Sequence, residues 1–269
     1  MSRLDGLTRQ EREACLIAER ALGAVAQACD VGGRQGAVDA MLTLHHGRTA
    51  AFEITNLAAE GALHTASLLA RDQHRWPLPG DWFWSIEVGS PKDLRRLKRY
   101  YKKIILMCER QGVEHPEQIA WPQSADPDLQ WLVQQSSCNM IGDSGQLAKN
   151  MSQPGALVFP TSGGGFVDES MSGFADALTA AFQENAHIAP HFEKLAKAEA
   201  DERHLFIALH ESALPFSIST ELTFSETRPR EPPPLPDYIT HLWLAPAFSR
   251  RVLLWCQPEG WRNLYPFDE

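Results

Sequence analysis

The sequence predicts an α/β fold, a central mixed sheet flanked by helices, and three observations carry that expectation. Helical and strand-like periodicities alternate over the first 112 residues. A Gly-containing turn joins two strand-like arms between residues 36 and 55. Short apolar runs recur at 203–209, 240–244 and 252–256, late in the chain.

The first helix is expected over 8–29, with Thr8 as its cap and Gly32-Gly33 breaking the chain beyond it. Its buried track runs Cys15, Glu19, Leu22, Ala26, Cys29. Glu19 is the polar member, either an edge glutamate reaching for water or a carboxylate aimed at the next element. That element is the hairpin, Gly36–Leu44 and Thr49–Thr55 around His45-His46-Gly47-Arg48. Strand alternation places Val38, Ala40, Leu42 and Leu44 on one face and Asp39, Met41 and Thr43 on the other. In the second arm Phe52 and Ile54 oppose Ala51, Glu53 and Thr55. Counting back from the turn sets residue 39 opposite 53 or 54, so two carboxylates become neighbours on one face. Like charges facing across a ladder cost roughly 0.2–1 kcal/mol, and a divalent cation would offset that.

Residues 57–71 are expected to be helical and 82–88 a strand, with Trp82, Trp84, Ile86 and Val88 on its apolar face. Ser90-Pro91 then opens a strong helix, Ser as cap and Pro in its first turn. Its buried stripe is Leu94, Leu97, Tyr101, Ile105 and Cys108. Residues 113–170 are irregular, with Pro122, Pro127, Pro154 and the triplet Gly163–Gly165. That triplet lacks the Lys-Ser/Thr of a phosphate loop and is expected to be a turn or hinge. Helices follow at 172–185 and 188–200, the second carrying Lys194 and Lys197. His187 and His191 have helical spacing, but Pro190 between them spoils a metal-binding face. His204 and His210 share a face of the 203–210 strand and, with no third ligand evident, are expected to be ordinary surface or buffer histidines. Arg228–Pro236 is a stiff, proline-rich connector. The expected organisation is an α/β core over 1–112, an irregular and helical insertion over 113–200, and strands over 201–269. Those strands extend the core sheet or form a small second layer.

Composition narrows the class. Hydrophobic residues make up 43% and charged residues 22%, ordinary for a soluble globular chain. No run approaches the ~18 apolar residues of a membrane span, and the first residues lack an apolar signal core, so a cytoplasmic protein is expected. Five scattered cysteines without a CxxC pair suit free thiols. The net charge is −9, yet residues 91–103 hold seven basic residues and one acid, a local +6 that leaves −15 elsewhere. Lys92, Arg95, Arg96, Arg99, Lys102 and Lys103 are therefore the candidate contacts to DNA or RNA phosphates; a solvated helix face is the plainer alternative. No GxSxG elbow, HExxH helix or catalytic-cysteine signature is present.

The order helix, carboxylate-bearing hairpin, strand, helix, with Asp39 on the first hairpin strand and Glu53 on the second, resembles the PD-(D/E)XK superfamily of restriction-endonuclease-like proteins. The resemblance covers about residues 8–112. More loosely, the hairpin and the Arg203-His-Leu-Phe strand are similar to actinobacterial proteins of that fold. The resemblance implies Mg²⁺- or Mn²⁺-dependent cleavage of phosphodiester bonds, with Asp39 and Glu53 as metal ligands and Glu19 as the helix acid. The family's lysine, two residues after the glutamate, is replaced here by Thr55. Either a lysine has migrated, with Lys102, Lys194 and Lys197 as candidates, or catalysis is lost and the fold binds nucleic acid or a protein partner.

Overall fold

The computed structural model describes residues 3–30, 36–120, 126–145, 155–161, 170–257 and 259–268. The Gly32-Gly33 break, Pro122, Pro154 and the Gly163–Gly165 triplet fall outside them. The chain forms two compact units, residues 1–59 with 163–269, and residues 60–162.

The first unit opens with α1 (Arg9–Leu22), β1 (Val25–Ala28), β2 (Ala40–Thr43), a single 3₁₀ turn (His45–Gly47) and β3 (Thr49–Leu57). The second holds α2 (Ala62–Arg71), β4 (Arg75–Trp76), β5 (Phe83–Val88), α3 (Pro91–Gln111), α4 (Pro116–Ala120), α5 (Pro127–Gln134), β6 (Cys138–Asp143) and β7 (Ala156–Pro160). The chain returns to the first unit with α6 (Phe174–Glu184), α7 (Ile188–Lys197), β8 (Glu202–Leu209) and α8 (Phe216–Phe224). It closes on β9 (His241–Pro246), β10 (Val252–Cys256) and β11 (Gly260–Leu264).

The expected first helix is too long by a strand. Thr8 does cap α1, accepting from the Glu11 amide while the Glu11 carboxylate accepts from the Thr8 amide. The helix stops at Gly23, whose φ of +62° is left-handed and ends it. A Cβ there would sit 2.7 Å from the His45 ring, so glycine is required on two counts. Residues 25–28 then pair with β2. Their alanines suit a helix, but sheet pairing overrides propensity.

The main sheet has seven strands in the order β1-β2-β3-β8-β9-β10-β11. It is mixed: β3, β8 and β9 run parallel, and the flanking pairs are antiparallel. The late strands thus extend the sheet that holds the hairpin. The expected core boundary at residue 112 does not hold, because β5 and α3 belong to the second unit and its own sheet, β4-β7-β5-β6. The reason is non-local pairing. The free edge of β3 is taken by β8, and nothing in the alternation of 83–88 reports which sheet that strand joins.

Both faces of the main sheet are covered, which is why β3 is buried almost throughout. On one face Ala14, Cys15 and Ala18 of α1 pack with Ala40, Leu42, Phe52, Ile54 and Trp243. On the other, Leu178 of α6, Ile188 and Leu195 of α7 and Leu222 of α8 pack with Ala51, Leu205, Ile207 and Leu242. In the second unit Ser90 caps α3 as expected, and its stripe of Leu94, Leu97, Tyr101, Ile105 and Cys108 is buried, with Ile104 added. These residues pack with Trp84, Ile86 and Val88 of β5. The Arg228–Pro236 connector has no helix or strand; Arg228 donates to the Trp261 carbonyl, and the Trp261 indole donates to the Glu231 carbonyl. Among the described residues no helix is long and apolar enough to cross a membrane.

Candidate functional site

The β2–β3 register pairs Ala40 with Phe52, so one step further sets Asp39 against Glu53. The two side chains lock the hairpin reciprocally. Asp39 Oδ2 accepts from the Ile54 amide at 2.6 Å, and Glu53 Oε2 accepts from the Asp39 amide at 3.1 Å. Both residues are buried, Glu53 completely. Burial and the neighbouring Glu53 charge push the Asp39 carboxyl up to about 7, against the pull of the Ile54 amide and Lys194.

The third member comes from α7. Lys194 Nζ lies 2.8 Å from Glu53 Oε1 and 4.0 Å from Asp39 Oδ1. His191, one turn earlier on the same helix, donates from Nδ1 to Glu53 Oε1 at 2.7 Å. Burial works against the Lys194 ammonium, but the Glu53 hydrogen bond and the charges of Glu53, Asp39 and Asp30 outweigh it and hold its pKa above the ordinary lysine value. Of the three candidate lysines, Lys194 is thus the one on the carboxylates. Lys197 and Lys102 form no ion pair among the described residues. Thr55 is buried, with its hydroxyl turned to the Asn56 carbonyl.

Glu19 is spent elsewhere. Its Oε1 accepts from Arg3 at 3.0 Å and from the Ala26 amide at 2.8 Å, fastening α1 to β1. The sheet explains this: α1 packs on the Ala40/Phe52 face, and alternation turns Asp39 and Glu53 to the other. The α1 acid that adds to the charge felt at Asp39 is Glu11.

The donor set suits a hard cation. A carboxylate offers about four acceptor positions, and Glu53 uses three while Asp39 uses one. Asp30, just beyond β1, has a buried Oδ1 without a hydrogen-bond partner among the described residues. Oxygen donors of this kind match Mg²⁺ or Mn²⁺.

A second polar cluster lies on β8 and β9. Potential metal-ligand atoms of Glu202, His204 and His241 fall within 4.8 Å of one another. The expectation of a surface His204 is overturned, since its side chain is fully buried. The third ligand missing from the local sequence, His241, is supplied by strand pairing with His204. The protons are already placed, however. The Trp243 indole N–H can only donate, so His204 Nδ1 accepts at 3.3 Å and the neutral ring carries its proton on Nε2. That proton goes to Glu202 Oε2 at 2.7 Å, and Arg48 holds Glu202 Oε1 at 2.6 Å. A proton and a guanidinium occupy the places a cation would take. Burial also works against charging either ring, lowering His204 and pushing His241 down to about 3. The cluster braces the ends of β8 and β9 against the 45–48 turn. His210 instead bonds the Ser212 hydroxyl.

The basic face of α3 is partly neutralised. Lys103 pairs with Asp126 and Asp128, and the Arg96 guanidinium stacks 4.5 Å from the Trp131 ring. Lys92, Arg95, Arg99 and Lys102 form no ion pair among the described residues. Lys92, Arg95, Arg96, Arg99 and Tyr100 line a surface groove of about 360 Å³.

The sequence placed Asp39 near Glu53 and offered Lys194 as one of three candidate lysines; it did not bring His191 or Asp30 to them. His191 had a signal, its three-residue spacing from Lys194 on one helix, which Pro190 obscured. Compared with family models, curated proteins and solved structures, the chain finds no match.

Proposed function

We propose that this protein is a divalent-cation-dependent nuclease of the restriction-endonuclease-like kind, in which Lys194 on α7 replaces the lysine missing at Thr55. The observation that carries the reading is the position of the Lys194 ammonium, 2.8 Å from Glu53 and 4.0 Å from Asp39. Within the first unit the arrangement supports it: one helix, a three-strand meander bearing the two carboxylates and, after the 60–162 unit, two helices and a strand parallel to the third.

Asp39 and Glu53 would hold the cation. A bound Mg²⁺ would lower the pKa of the attacking water and neutralise charge developing on the phosphate. Lys194 stays protonated and supplies a fixed positive charge facing the phosphate oxygens. The hydrogen bonds from the Asp39 and Ile54 amides fix both carboxylates before substrate arrives.

A second reading is a catalytically silent fold that binds nucleic acid through α3. It is favoured by the completeness with which Lys194, His191 and the Asp39 amide already satisfy Glu53.

One assay separates them. With Mn²⁺ or Mg²⁺ present, wild-type protein should cleave plasmid or single-stranded DNA, or RNA. Lys194→Met should lower the rate by about 10²–10³, the usual effect of losing one preorganised electrostatic group. Substrate retained without any turnover in the wild type would favour the silent fold instead.

A further inference from the structure

Lys194 Nζ lies 2.8 Å from Glu53 and 4.0 Å from Asp39, and an ammonium so paired has no lone pair with which to take a proton from water. A hydrolytic site on this scaffold therefore needs another proton acceptor. His191 has the required arrangement. Its Nδ1 lies 2.7 Å from Glu53 Oε1, and an ionised carboxylate only accepts, so Nδ1 carries the ring proton. In the neutral ring Nε2 is then the acceptor, and no hydrogen bond to it is formed among the described residues. The side chain is 21% exposed beside a glutamate that is completely buried, so the imidazole lies at the boundary between the carboxylates and solvent. A carboxylate that fixes the tautomer and orientation of a histidine is the usual way to prepare a general base.

We propose that His191 is the proton acceptor of this site, with Glu53 as its positioning carboxylate; this rests on the phosphodiester-cleaving reading above. His191 Nε2 takes a proton from the attacking water as the water oxygen bonds to phosphorus. The bond from phosphorus to the departing sugar oxygen breaks, and that oxygen takes a proton from solvent. His191 afterwards returns its proton to solvent. Glu53 thus serves two functions from different oxygens, which explains why a single carboxylate gathers His191 and Lys194 on Oε1 and leaves Oε2 beside Asp39. The charged and titratable groups around the ring are Glu53 on β3, Asp39 next to it, Lys194 on α7, His187 just before that helix, and Asp30, whose charge reaches Lys194.

Two measurements test this on the full-length protein. Two-bond ¹H–¹⁵N correlation spectra near neutral pH, with His191→Gln identifying the signals, should show His191 as the Nδ1–H tautomer. An Nε2–H tautomer would overturn the proposal without any reference to activity. In single-turnover cleavage of an oligonucleotide with Mn²⁺, the rate of His191→Gln should fall by about 10²-fold or more, with Mn²⁺ affinity unchanged. A variant that keeps its rate would overturn the assignment of His191 while the nuclease reading stands. Lost Mn²⁺ binding in the variant would also overturn it, showing that His191 only positions Glu53. A wild type that cleaves nothing would overturn the nuclease reading and the proton acceptor with it.

Discussion

Asp39→Asn is expected to gain stability relative to the wild type as the pH rises from about 5 to about 8 in metal-free buffer, by roughly 2–3 kcal/mol. The cause is the raised carboxyl of Asp39, about 7 in the fold against an ordinary value of 3.8, set by burial and then by Glu53. Between those values the native state holds a proton that the unfolded chain has released. The stability this confers is present at low pH and is lost as pH rises through the folded-state value. His204 and His241 act in the opposite sense. Burial keeps them neutral in the fold while they are protonated in the acid-unfolded chain, so their contribution grows with pH up to the ordinary histidine range. Comparing wild type with Asp39→Asn cancels that background. The lowered carboxylates Asp72, Asp126 and Glu202 contribute in full above about pH 4.5 and lose that contribution only at lower pH, so they add no slope within the window. Denaturant unfolding of both proteins at several pH values gives the comparison. A difference that stays flat would show that Asp39 is ionised throughout.

Glu53→Ala should cost about 3 kcal/mol or more of folding stability, and Glu53→Gln distinctly less. Glu53 is completely buried and accepts from the Asp39 amide, His191 and Lys194. Alanine strands all three donors and leaves a half-buried ammonium with Asp39 as its nearest counter-charge, 4.0 Å away. Glutamine keeps an acceptor oxygen and the side-chain volume but removes the charge. The pair of variants therefore separates the structural role of the side chain from any role in holding a cation. Equal destabilisation by both would mean that the charge itself, rather than the hydrogen bonds, holds the hairpin to α7.

The hairpin was legible because its signals are local. A turn at 45–48, alternation in both arms and a short count back from the turn are enough to set residue 39 against 53 or 54, and the observed register selects Glu53. The α3 cap and stripe were legible for the same reason. The features that escaped depend on residues far apart in the chain. β1 is defined by its pairing with β2, and β8 meets β3 only after the 60–162 unit has intervened. The α7 contacts at Glu53 bridge more than 130 residues, so the sequence offered Lys194 among three lysines and could not rank them. Glu19 failed on geometry, since helical spacing identified its buried track but not which face of the sheet the helix would cover. His204 failed similarly, because its partners Glu202, His241 and Trp243 converge only once β8 and β9 lie side by side.

The most direct test of the central claim, that Asp39 and Glu53 hold a divalent cation beside Lys194, is calorimetric titration of Mn²⁺ into the wild type and into Glu53→Gln at about pH 8, where Asp39 is ionised. The expected result is saturable binding in the wild type that is lost in the variant while its fold persists. Equal binding by the two proteins, or no binding by the wild type, would contradict it.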